Sequence, residues 1–504
     1  MHPLLCTAIN AMLTLSSPNG DTVGVAVRVH ERWNAQQQLM GAAYSSPALL
    51  PLRYRHGISE LSLQATSSKA SATAEPQLGL GEQNVAVRGQ SHGKLRNGAT
   101  VWGNALYQSG LRRNVRWNET ADYQRLRPYV CADTLGGNLH SEQYQFDGGT
   151  AFGIGQWTLG GTLGFSALHE HRRIDPRPRN RYGTMLLHIA VARNISSRYA
   201  VSIDVAATKY KQRGSIGYYN ELGVSTTHHL QGLGLGHARF DGNNTSTSYS
   251  GHQLEAGLGL APTTANGGLT VALRTSTEHY DKVLLNVNDI TLNELHALQH
   301  IAEVGWLQNA QHATAGLLLR AQLSTRTGSE IIYGDAANNE YPRLSTAIQY
   351  SEHKLQTNVC WLYERTTSQR WQWHVLPAAG YTQTEEKHLS PLNTMSYSHL
   401  LTKLALGSTW KAGKTLIIIR IESAYHHRQR AEQHLSHTVN AYAQRIEEER
   451  FDMYKSNHFD LRALTRLAFP IGAQLLHIDI GAQHLAYSNG HKNWKYSLNI
   501  GLCI

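Results

Sequence analysis

The most regular feature of the sequence is an alternation of apolar and polar residues. The last segment shows it best, because it alternates one apolar set with one polar or small set: Trp494, Tyr496, Leu498, Ile500, Leu502 and Ile504 against Lys495, Ser497, Asn499, Gly501 and Cys503. Segments at 157–166, 269–276 and 459–469 have the same period. Side chains of a strand point to opposite faces in turn, so each segment predicts a strand with one apolar and one polar face.

The links between these segments alternate in length. Short links occur around 93–98, 153–156, 194–198, 262–267, 308–311, 365–370, 411–413 and 470–473, and longer polar stretches lie at 67–81, 110–139, 170–181, 211–249, 281–290, 326–342, 384–396, 426–457 and 486–493. Outer-membrane barrels join strands by tight periplasmic turns and long outer loops, so the alternation predicts about 18 strands, within a range of 14 to 20. We therefore expect one all-β, antiparallel transmembrane β-barrel over residues 56–504.

Two alternatives remain open from the pattern. Between Arg343 and Arg365 the alternation changes phase near His353, which fits either one bulged strand or a small hairpin. A soluble sandwich, propeller or lectin-like protein also has alternating short strands. The aromatic residues near segment ends favour the barrel, because they predict girdles at the membrane surfaces: Trp157, Trp410, Tyr425, Phe469 and Trp494.

Composition supports a membrane barrel. Only 16% of the residues are charged, whereas the 504-residue chain contains 44 Gly, 24 Tyr and 10 Trp. The longest apolar runs, such as Leu416 to Ile419, are far shorter than the roughly 18 to 20 residues of a membrane helix. No Pro-rich or charged linker divides the chain, so one large unit is expected.

The N-terminal residues predict export. An apolar run from Leu4 to Leu15 precedes small residues, which predicts a signal peptide over 1–20, although no Lys or Arg precedes the run and a misassigned start codon is the alternative. Residues 21–55 are expected to form a periplasmic N-terminal segment, and the sequence leaves open a tail, a plug or an additional strand. The later cysteines, Cys131, Cys360 and Cys503, lack the spacing of a zinc site or a disulfide framework.

Four short motifs resemble those of a known family. They read WNETADY (117–123), RPYV (127–130), ADTLGG (132–137) and IDPRPRNRYG (174–183). This set resembles an uncharacterised family of outer-membrane β-barrel proteins from Bacteroidetes, most strongly over residues 110–190. The resemblance implies an outer-membrane location and a barrel fold, and it brings no established activity, ligand or catalytic residue.

These motifs predict structured outer loops. The candidate functional residues in them are Trp117, Glu119, Asp122, Tyr123, Asp175, Arg177 and Arg179. Two prolines hold the Asp175 to Arg179 segment extended and present its guanidinium groups to carboxylates or phosphates. Those groups either pin the loop onto neighbouring carboxylates, including Asp133, or contact a ligand directly.

No catalytic signature stands in a suitable strand and helix context, so we expect no enzyme, no catalytic residue, no cofactor and no metal site. A hydrolase at the barrel rim is the alternative, and it would be composed from His399, His426, His427, Asp452 or His458. The 28 histidines include the pairs His169 with His171, His228 with His229 and His426 with His427. These pairs bind a transition metal or haem, or they reflect composition alone.

Charged residues provide the main functional indication. Strand alternation places both signs on the lumen face: Arg274, Arg320, Lys403, Arg420, Glu422, Asp460, Arg462, Arg466 and Asp479, together with Arg193 and Glu294. Opposed lumen charges either set the field of a selective pore or pair into a network that closes the barrel. The loops at 211–249 and 426–457 are candidate plugs, with a short helix at 445–450. The net charge of +10 suits contact with outer-membrane lipid and anionic lipopolysaccharide, and nothing indicates nucleic-acid binding.

The predicted function is solute passage in the outer membrane of a Gram-negative bacterium, as a channel or as the barrel subunit of an uptake system. The alternative is a non-conducting scaffold barrel in a larger envelope complex with lipoproteins or a TonB-dependent receptor. A channel requires an open, charge-lined lumen, whereas a scaffold requires a filled lumen and an apolar contact surface.

Overall fold

The computed structural model describes residues 24–220, 225–242, 245–264, 267–336, 340–368 and 370–504. Eighteen long strands form one antiparallel sheet, and the first strand, Ile58–Ala70, pairs with the last, Lys492–Cys503, to close it. This closed barrel confirms the predicted fold class and strand number. The predicted signal peptide at 1–20 lies outside the described residues.

The strands are numbered along the chain, and three short ones lie in loops. The barrel strands are β1 (Ile58–Ala70), β2 (Gly81–Lys94), β3 (Thr100–Val115), β5 (Gly137–Ile154), β6 (Trp157–His171), β7 (Arg177–Asn194), β8 (Tyr199–Gly217), β11 (Ser246–Pro262), β12 (Gly267–Leu284), β13 (Ile290–Asn309), β14 (Ala313–Tyr333), β15 (Arg343–Ser368), β16 (Trp371–His388), β17 (Asn393–Ala412), β18 (Thr415–Leu435), β19 (His458–Ile471), β20 (Gln474–Tyr487) and β21 (Lys492–Cys503). The short strands are β4 (Cys131–Ala132), β9 (His228–Gly232) and β10 (Leu235–Gly236).

Helices lie before the barrel and within its loops. They are α1 (Val25–Trp33), α2 (Ala35–Met40), α3 (Leu50–Arg53), α4 (Tyr123–Leu126) and α5 (Ala441–Tyr454), with 3-10 turns at Gly41–Tyr44, Pro76–Leu78 and Ala238–Phe240. None of the described helices has the length and apolar character needed to cross a membrane.

Short and long connections alternate, as predicted. The short turns gather at one end of the barrel, which we call the inner mouth, and the long loops gather at the other, the outer mouth. Gly155 and Gly413 have φ values of 61° and 63° in two such turns. Tight hairpin turns need positive φ, which glycine adopts without steric cost.

The region of uncertain phase is one bulged strand. β15 runs unbroken over Arg343–Ser368, and its register against β14 shifts between Ile348 and Tyr350. The bulge adds one residue to the strand, so the alternation of inward and outward side chains changes phase from one side of the bulge to the other. The hairpin alternative is therefore wrong for this segment.

The outer surface of the barrel carries an apolar band. Large apolar side chains there are widely exposed, for example Leu163 and Met185, each at 67%. Such side chains face hydrocarbon in membrane barrels, so the molecule is a transmembrane barrel of the outer-membrane type. Trp157 and Trp410 lie on this surface beside inner turns, as a girdle requires.

Two of the predicted lumen residues face outward instead. Arg193 stacks over the exposed ring of Trp157, with its guanidinium carbon 5.2 Å from the ring centroid. Glu294 lies opposite Asp281, outside the lumen, and pairs with Arg343 at 3.5 Å. Both lie near strand ends, where one residue of phase error moves a side chain to the other face.

Candidate functional site in the barrel lumen

Residues 24–57, which we call the inner plug, lie across the inner mouth. Three apolar contacts hold this segment against the barrel wall. Val29 packs among Ile418, Leu475 and neighbours, Leu39 and Met40 pack on Leu307, Leu362 and Leu376, and Leu49 packs on Ala192, Ala200 and Ala261. These contacts lie on strands from widely separated parts of the barrel, so the plug spans the opening.

Polar side chains of the inner plug reach the same wall. His30 Nε2 lies 2.7 Å from Gln372 Oε1, and Gln36 donates to Glu364 Oε1 at 3.0 Å. Burial and, to a smaller extent, the charge of Lys411 lower the pKa of His30 to about 4, against the effect of the hydrogen bond to Gln372. A neutral His30 therefore makes this contact at physiological pH.

Several predicted lumen charges hold the plug. The guanidinium carbon of Arg466 lies 3.7 Å from the ring centroid of Trp33, and that of Arg420 lies 5.1 Å away. Arg420 also donates to the carbonyl oxygen of Trp33, and Arg274 donates to Ser45 Oγ at 2.5 Å. These cations thus bind the plug instead of lining an open channel.

Arg466 belongs to a buried charge network on the wall. It donates from Nε and Nη2 to the two oxygens of Asp479, each at 2.6 Å, and His477 Nδ1 lies 3.3 Å from Asp479 Oδ1. Two parallel hydrogen bonds hold the guanidinium in one orientation beneath the Trp33 ring. The contact between plug and wall is therefore rigid on the wall side.

One group of side chains has metal-ligating atoms in proximity. A nitrogen of His477, the Cys503 sulfur and a Glu60 oxygen lie within 4.8 Å of one another. This donor set is of the type that binds zinc. His477 Nε2 is 3.0 Å from Glu60 Oε1, and Arg466 Nη2 is 3.7 Å from the same oxygen. The carboxylate is thus already neutralised by cations, and the sequence did not indicate the group because its members lie at opposite ends of the chain.

Three long loops fill the outer mouth, and we call their described residues the outer cap: 116–136, 218–220 with 225–242, and 436–457. Strands β4, β9 and β10 pair into a small sheet that joins the first two loops. One apolar cluster joins the cap to the wall, including Trp117, Leu126, Leu230 and Ile446 of the cap and Tyr210, Tyr249, Tyr280 and Tyr350 of the strands. Of the candidate plug loops at 211–249 and 426–457, the described segments 225–242 and 436–457 fold inward, whereas 211–217, 246–249 and 426–435 belong to strands β8, β11 and β18; α5 contains the expected helix at 445–450.

Buried ion pairs also fasten the outer cap. Arg172 pairs with Glu119 at 2.6 Å with both side chains fully buried, and Arg450 pairs with Glu447 at 2.6 Å. Burial raises the pKa of Glu119 well above its ordinary range, and Asp133 raises it further, against the effect of Arg172. Burial likewise raises the pKa of Glu447 to about 7, against the effect of Arg450.

The candidate outer-loop residues divide between the cap core and the surface. Trp117 and Tyr123 are buried in the core, and Asp122 lies 3.5 Å from Arg125. Asp175 accepts the backbone N–H groups of Tyr219 and Asn220, each at 2.6 Å.

The guanidinium groups of this motif have different surroundings. Arg177 pairs with Asp175 at 2.6 Å, whereas Arg179 is exposed on the outer surface of β7. The guanidinium group that reaches Glu119 and Asp133 belongs to Arg172, outside the motif.

Between the inner plug and the outer cap, the wall is polar; we call this zone the mid-lumen. It presents side chains such as Gln64, Arg88, Gln145, Ser276, Gln299, Gln322, Asn358, Thr382 and Asn499. Charges there are paired: Arg320 with Glu303 at 3.0 Å, Lys403 with Glu422 at 2.6 Å, and Arg462 with Asp460 at 2.6 Å.

Cavities open into the mid-lumen. One of about 430 Å³ lies over Trp33 beside Arg88 and Asn499, and one of about 190 Å³ lies beneath the cap beside Arg127 and Gln322. A polar wall with space of this size accommodates water.

Histidines that are adjacent in the sequence do not point toward a common metal position. His426 and His427 lie on opposite faces of β18, as neighbours on a strand must. The barrel instead stacks His426 on His458 at 4.1 Å between ring centroids, with His399 6.0 Å from His458. Asp452, the acid of the hydrolase alternative, is bound to Lys455 Nζ at 2.5 Å.

The remaining pairs have other surroundings. His228 Nδ1 lies 2.6 Å from Asp241, whereas His229 Nδ1 lies 3.5 Å from Cys131 Sγ. His169 and His171 share the outer face of β6, with ring centroids 5.2 Å apart. Among the described residues, only the Glu60, His477 and Cys503 group meets the distance condition for a metal site.

Comparison with known proteins gives one family match. The profile of the family of unknown function DUF6850 matches residues 47–504. No curated protein matches the chain.

Solved structures show distant similarity. The ferric preacinetobactin receptor BauA from Acinetobacter baumannii is 8% identical, with 88% of this chain and 80% of that chain covered and a TM-score of 0.40. The ferric-catecholate import receptor Fiu from E. coli K12 is 8% identical, with 88% of this chain and 81% of that chain covered and a TM-score of 0.37. A Pseudomonas aeruginosa FadL homologue is 11% identical, with 92% of this chain and 93% of that chain covered and a TM-score of 0.33. The barrel fold itself is established by the strand order of this chain.

Proposed function

Because the chain belongs to the family DUF6850, whose description assigns no activity, we propose from the lumen geometry that it is a gated solute channel in the outer membrane of a Gram-negative bacterium. The inner plug is the gate. The motif resemblance around Trp117 and Asp175 makes a Bacteroidetes envelope the proposed setting. The observation that carries the proposal is the polar, cavity-containing mid-lumen between two closed mouths.

A polar mid-lumen suits passage better than permanent closure. Isolating ions such as Arg462 and Asp460 from water is costly, and a filled barrel is at least as stable with apolar residues in their place. Arg462 remains 53% exposed within the lumen, and Lys403 and Glu422 face the same space. Retained charges at both signs fit a pathway for a small polar solute.

The inner plug is the weaker of the two closures. Its three helices have nine, six and four residues, and it touches the wall through separate small apolar clusters. The outer cap packs through one large cluster and contains fully buried ion pairs. Elements with few buried apolar contacts open at the lowest free energy, so the plug opens first.

The decisive experiment is single-channel conductance in a planar bilayer, after heat-modifiable gel mobility shows that the barrel is folded. Wild-type protein is expected to be mostly silent, with brief openings, and a variant lacking residues 24–55 is expected to open far more often, in openings that the outer cap still limits. If that deletion does not fold, Leu39→Asp with Leu49→Asp loosens the plug while keeping the full chain. A folded barrel that stays silent without its plug, and also when the outer cap is loosened by Arg172→Met in the same variant, contradicts the gated channel.

The second candidate is a non-conducting scaffold barrel for lipoproteins or a TonB-dependent receptor. The closure of both mouths favours it, since a scaffold needs no pathway. It predicts silence in every plug variant and the same protein partner bound to wild type and variants. Affinity purification of tagged wild type and plug-deleted protein from native membranes distinguishes the two, because a gated channel does not require a stoichiometric partner.

A further inference from the structure

The outer surface of two neighbouring strands carries a concentrated positive charge. Arg179 and Arg181 of β7 and Lys209, Lys211 and Arg213 of β8 all point away from the lumen and are exposed. We call these five residues the basic cluster. Same-face residues recur about every 6.6 Å along a strand and neighbouring strands lie about 4.8 Å apart, so the five charges share one small patch.

The strand register brings like charges face to face. Arg181 lies directly opposite Arg213, while Lys211 lies opposite Gly183 and Lys209 opposite Met185. Like charges that are directly opposite destabilise a sheet. An anion bound between Arg181 and Arg213 removes this repulsion.

The described residues of the protein provide no such anion. Within the part of the chain that the structure describes, no carboxylate forms an ion pair with any residue of the basic cluster. On this face of β6, the residue opposite Arg181 is His169, and the outward carboxylate of Glu142 lies one strand further away, on β5. The excess of positive charge is therefore concentrated and not neutralised locally.

The opposite side of the barrel differs. There the exposed Arg430 pairs with Glu432 at 2.7 Å, and Lys387 is two residues from the exposed Glu385 on the same strand. Basic residues on that side are thus interspersed with acids. The basic cluster is a local feature and not a general property of the rim.

The basic cluster borders the apolar band directly. Closer to the inner mouth, the outward side chains of the same two strands are apolar and widely exposed: Met185, Leu187 and Ile189 on β7, and Ile203 and Val205 on β8. A ligand of this surface therefore has a polyanionic head at the level of the cluster and hydrocarbon chains along the strands below it.

We propose that the basic cluster binds the phosphorylated sugar headgroup of an outer-leaflet glycolipid, with its acyl chains against the adjacent apolar surface. Arg side chains bind phosphate oxygens in a bidentate manner, and the two facing guanidinium groups suit one phosphate between them. The continuity of the cluster with the apolar band selects a lipid-borne phosphate over free phosphate. This site lies outside the barrel and is independent of the lumen function.

The test uses delipidated full-length barrel in phosphatidylcholine bilayers, with the midpoint of heat-modifiable gel mobility as readout. Four conditions are compared: no addition, bisphosphorylated lipid A, the same glycolipid without phosphates, and inorganic phosphate. Only bisphosphorylated lipid A is expected to raise the wild-type midpoint. The double variant Arg181→Gln with Arg213→Gln is expected to lose most of that rise, and Lys387→Gln with Arg430→Gln, the matched control, is expected to keep it.

Folding defects are separated from lost binding. Without glycolipid, the Arg181/Arg213 variant is expected to match or exceed the wild-type midpoint, because a repulsive pair is gone. If it does not fold, Lys209→Gln with Lys211→Gln takes its place, with glycolipid molecules per barrel counted by native mass spectrometry. The proposal is overturned if the cluster variants keep the full rise or bound count, if the control loses as much, or if either the phosphate-free glycolipid or inorganic phosphate is as effective.

Discussion

The guanidinium carbon of Arg466 lies over the indole of Trp33, 3.7 Å from its ring centroid, and this contact joins the inner plug to the barrel wall. Arg466 is at the same time bound through two hydrogen bonds to Asp479. A desolvated cation–π contact contributes about 2 kcal/mol. The contact is thus one strong point in a plug that is otherwise held by small apolar patches and individual hydrogen bonds.

Replacing Trp33 by alanine is expected to increase the open probability of the channel. Loss of a contact of about 2 kcal/mol shifts the plug equilibrium roughly thirtyfold toward release. Single-channel recording of wild type and variant measures the change. Trp410→Ala is the matched control, because Trp410 is exposed on the outer surface beside an inner turn. Equal open probabilities in wild type and Trp33→Ala exclude this residue as a gating contact.

Neutralising mid-lumen charges is expected to change ion selectivity in the open channel. In the plug-deleted barrel, Arg462→Gln removes a positive charge from the pathway and is expected to shift the reversal potential toward cation preference. Asp460→Asn, on the same strand, is expected to shift it in the opposite direction. Reversal potentials under a salt gradient measure both. Shifts of the same sign contradict a pathway along this wall.

The outer cap is expected to become less stable as pH rises. The pKa of Glu447 is about 7 in the folded cap, raised from an ordinary value of 4.5. Between these values Glu447 binds more protons in the folded cap than in the open cap, so its contribution to the stability of the cap falls from about pH 4.5 to 7 and is level above. Amide hydrogen exchange of α5, corrected for intrinsic pH dependence, measures this fall.

Substitution of Glu447 by glutamine is expected to remove most of that pH dependence. Glu448→Gln is the matched control, since Glu448 is exposed on the same helix. The assignment fails if the exchange of α5 keeps its pH dependence in Glu447→Gln, or if it loses it equally in Glu448→Gln.

Replacing Arg172 by methionine is expected to destabilise the outer cap strongly. The change leaves the buried Glu119 and Asp133 without their cation, and breaking a buried pair costs about 3 to 5 kcal/mol. The midpoint of heat-modifiable gel mobility and the protease resistance of the cap loops measure the loss. Arg177→Met, at the start of β7, removes a partly exposed pair, for which we expect a much smaller loss. Similar losses of stability in both variants contradict the explanation that burial makes the Arg172 pair more important than the Arg177 pair.

The inner plug was detectable in part from the sequence. Val25, Val29 and Trp33 recur every four residues, which is the spacing of one helix face, in a segment for which the sequence left tail, plug and strand open. The basic cluster was also visible, as Lys209, Lys211 and Arg213 occupy alternate positions of one strand. Neither pattern predicts which residues or ligand the face contacts, because helix and strand periodicity define only which side chains share a face.

The sequence by itself determined the barrel, its strand number, the direction of most side chains and the alternation of inner turns with outer loops. These are local properties, since period-two alternation and link length each depend on a few consecutive residues. Only the tertiary structure decided that Arg274, Arg420 and Arg466 hold a plug, that Arg172 neutralises Glu119, and that Arg181 faces Arg213. Each of these depends on strand register and barrel closure, which bring together residues that no sequence spacing relates.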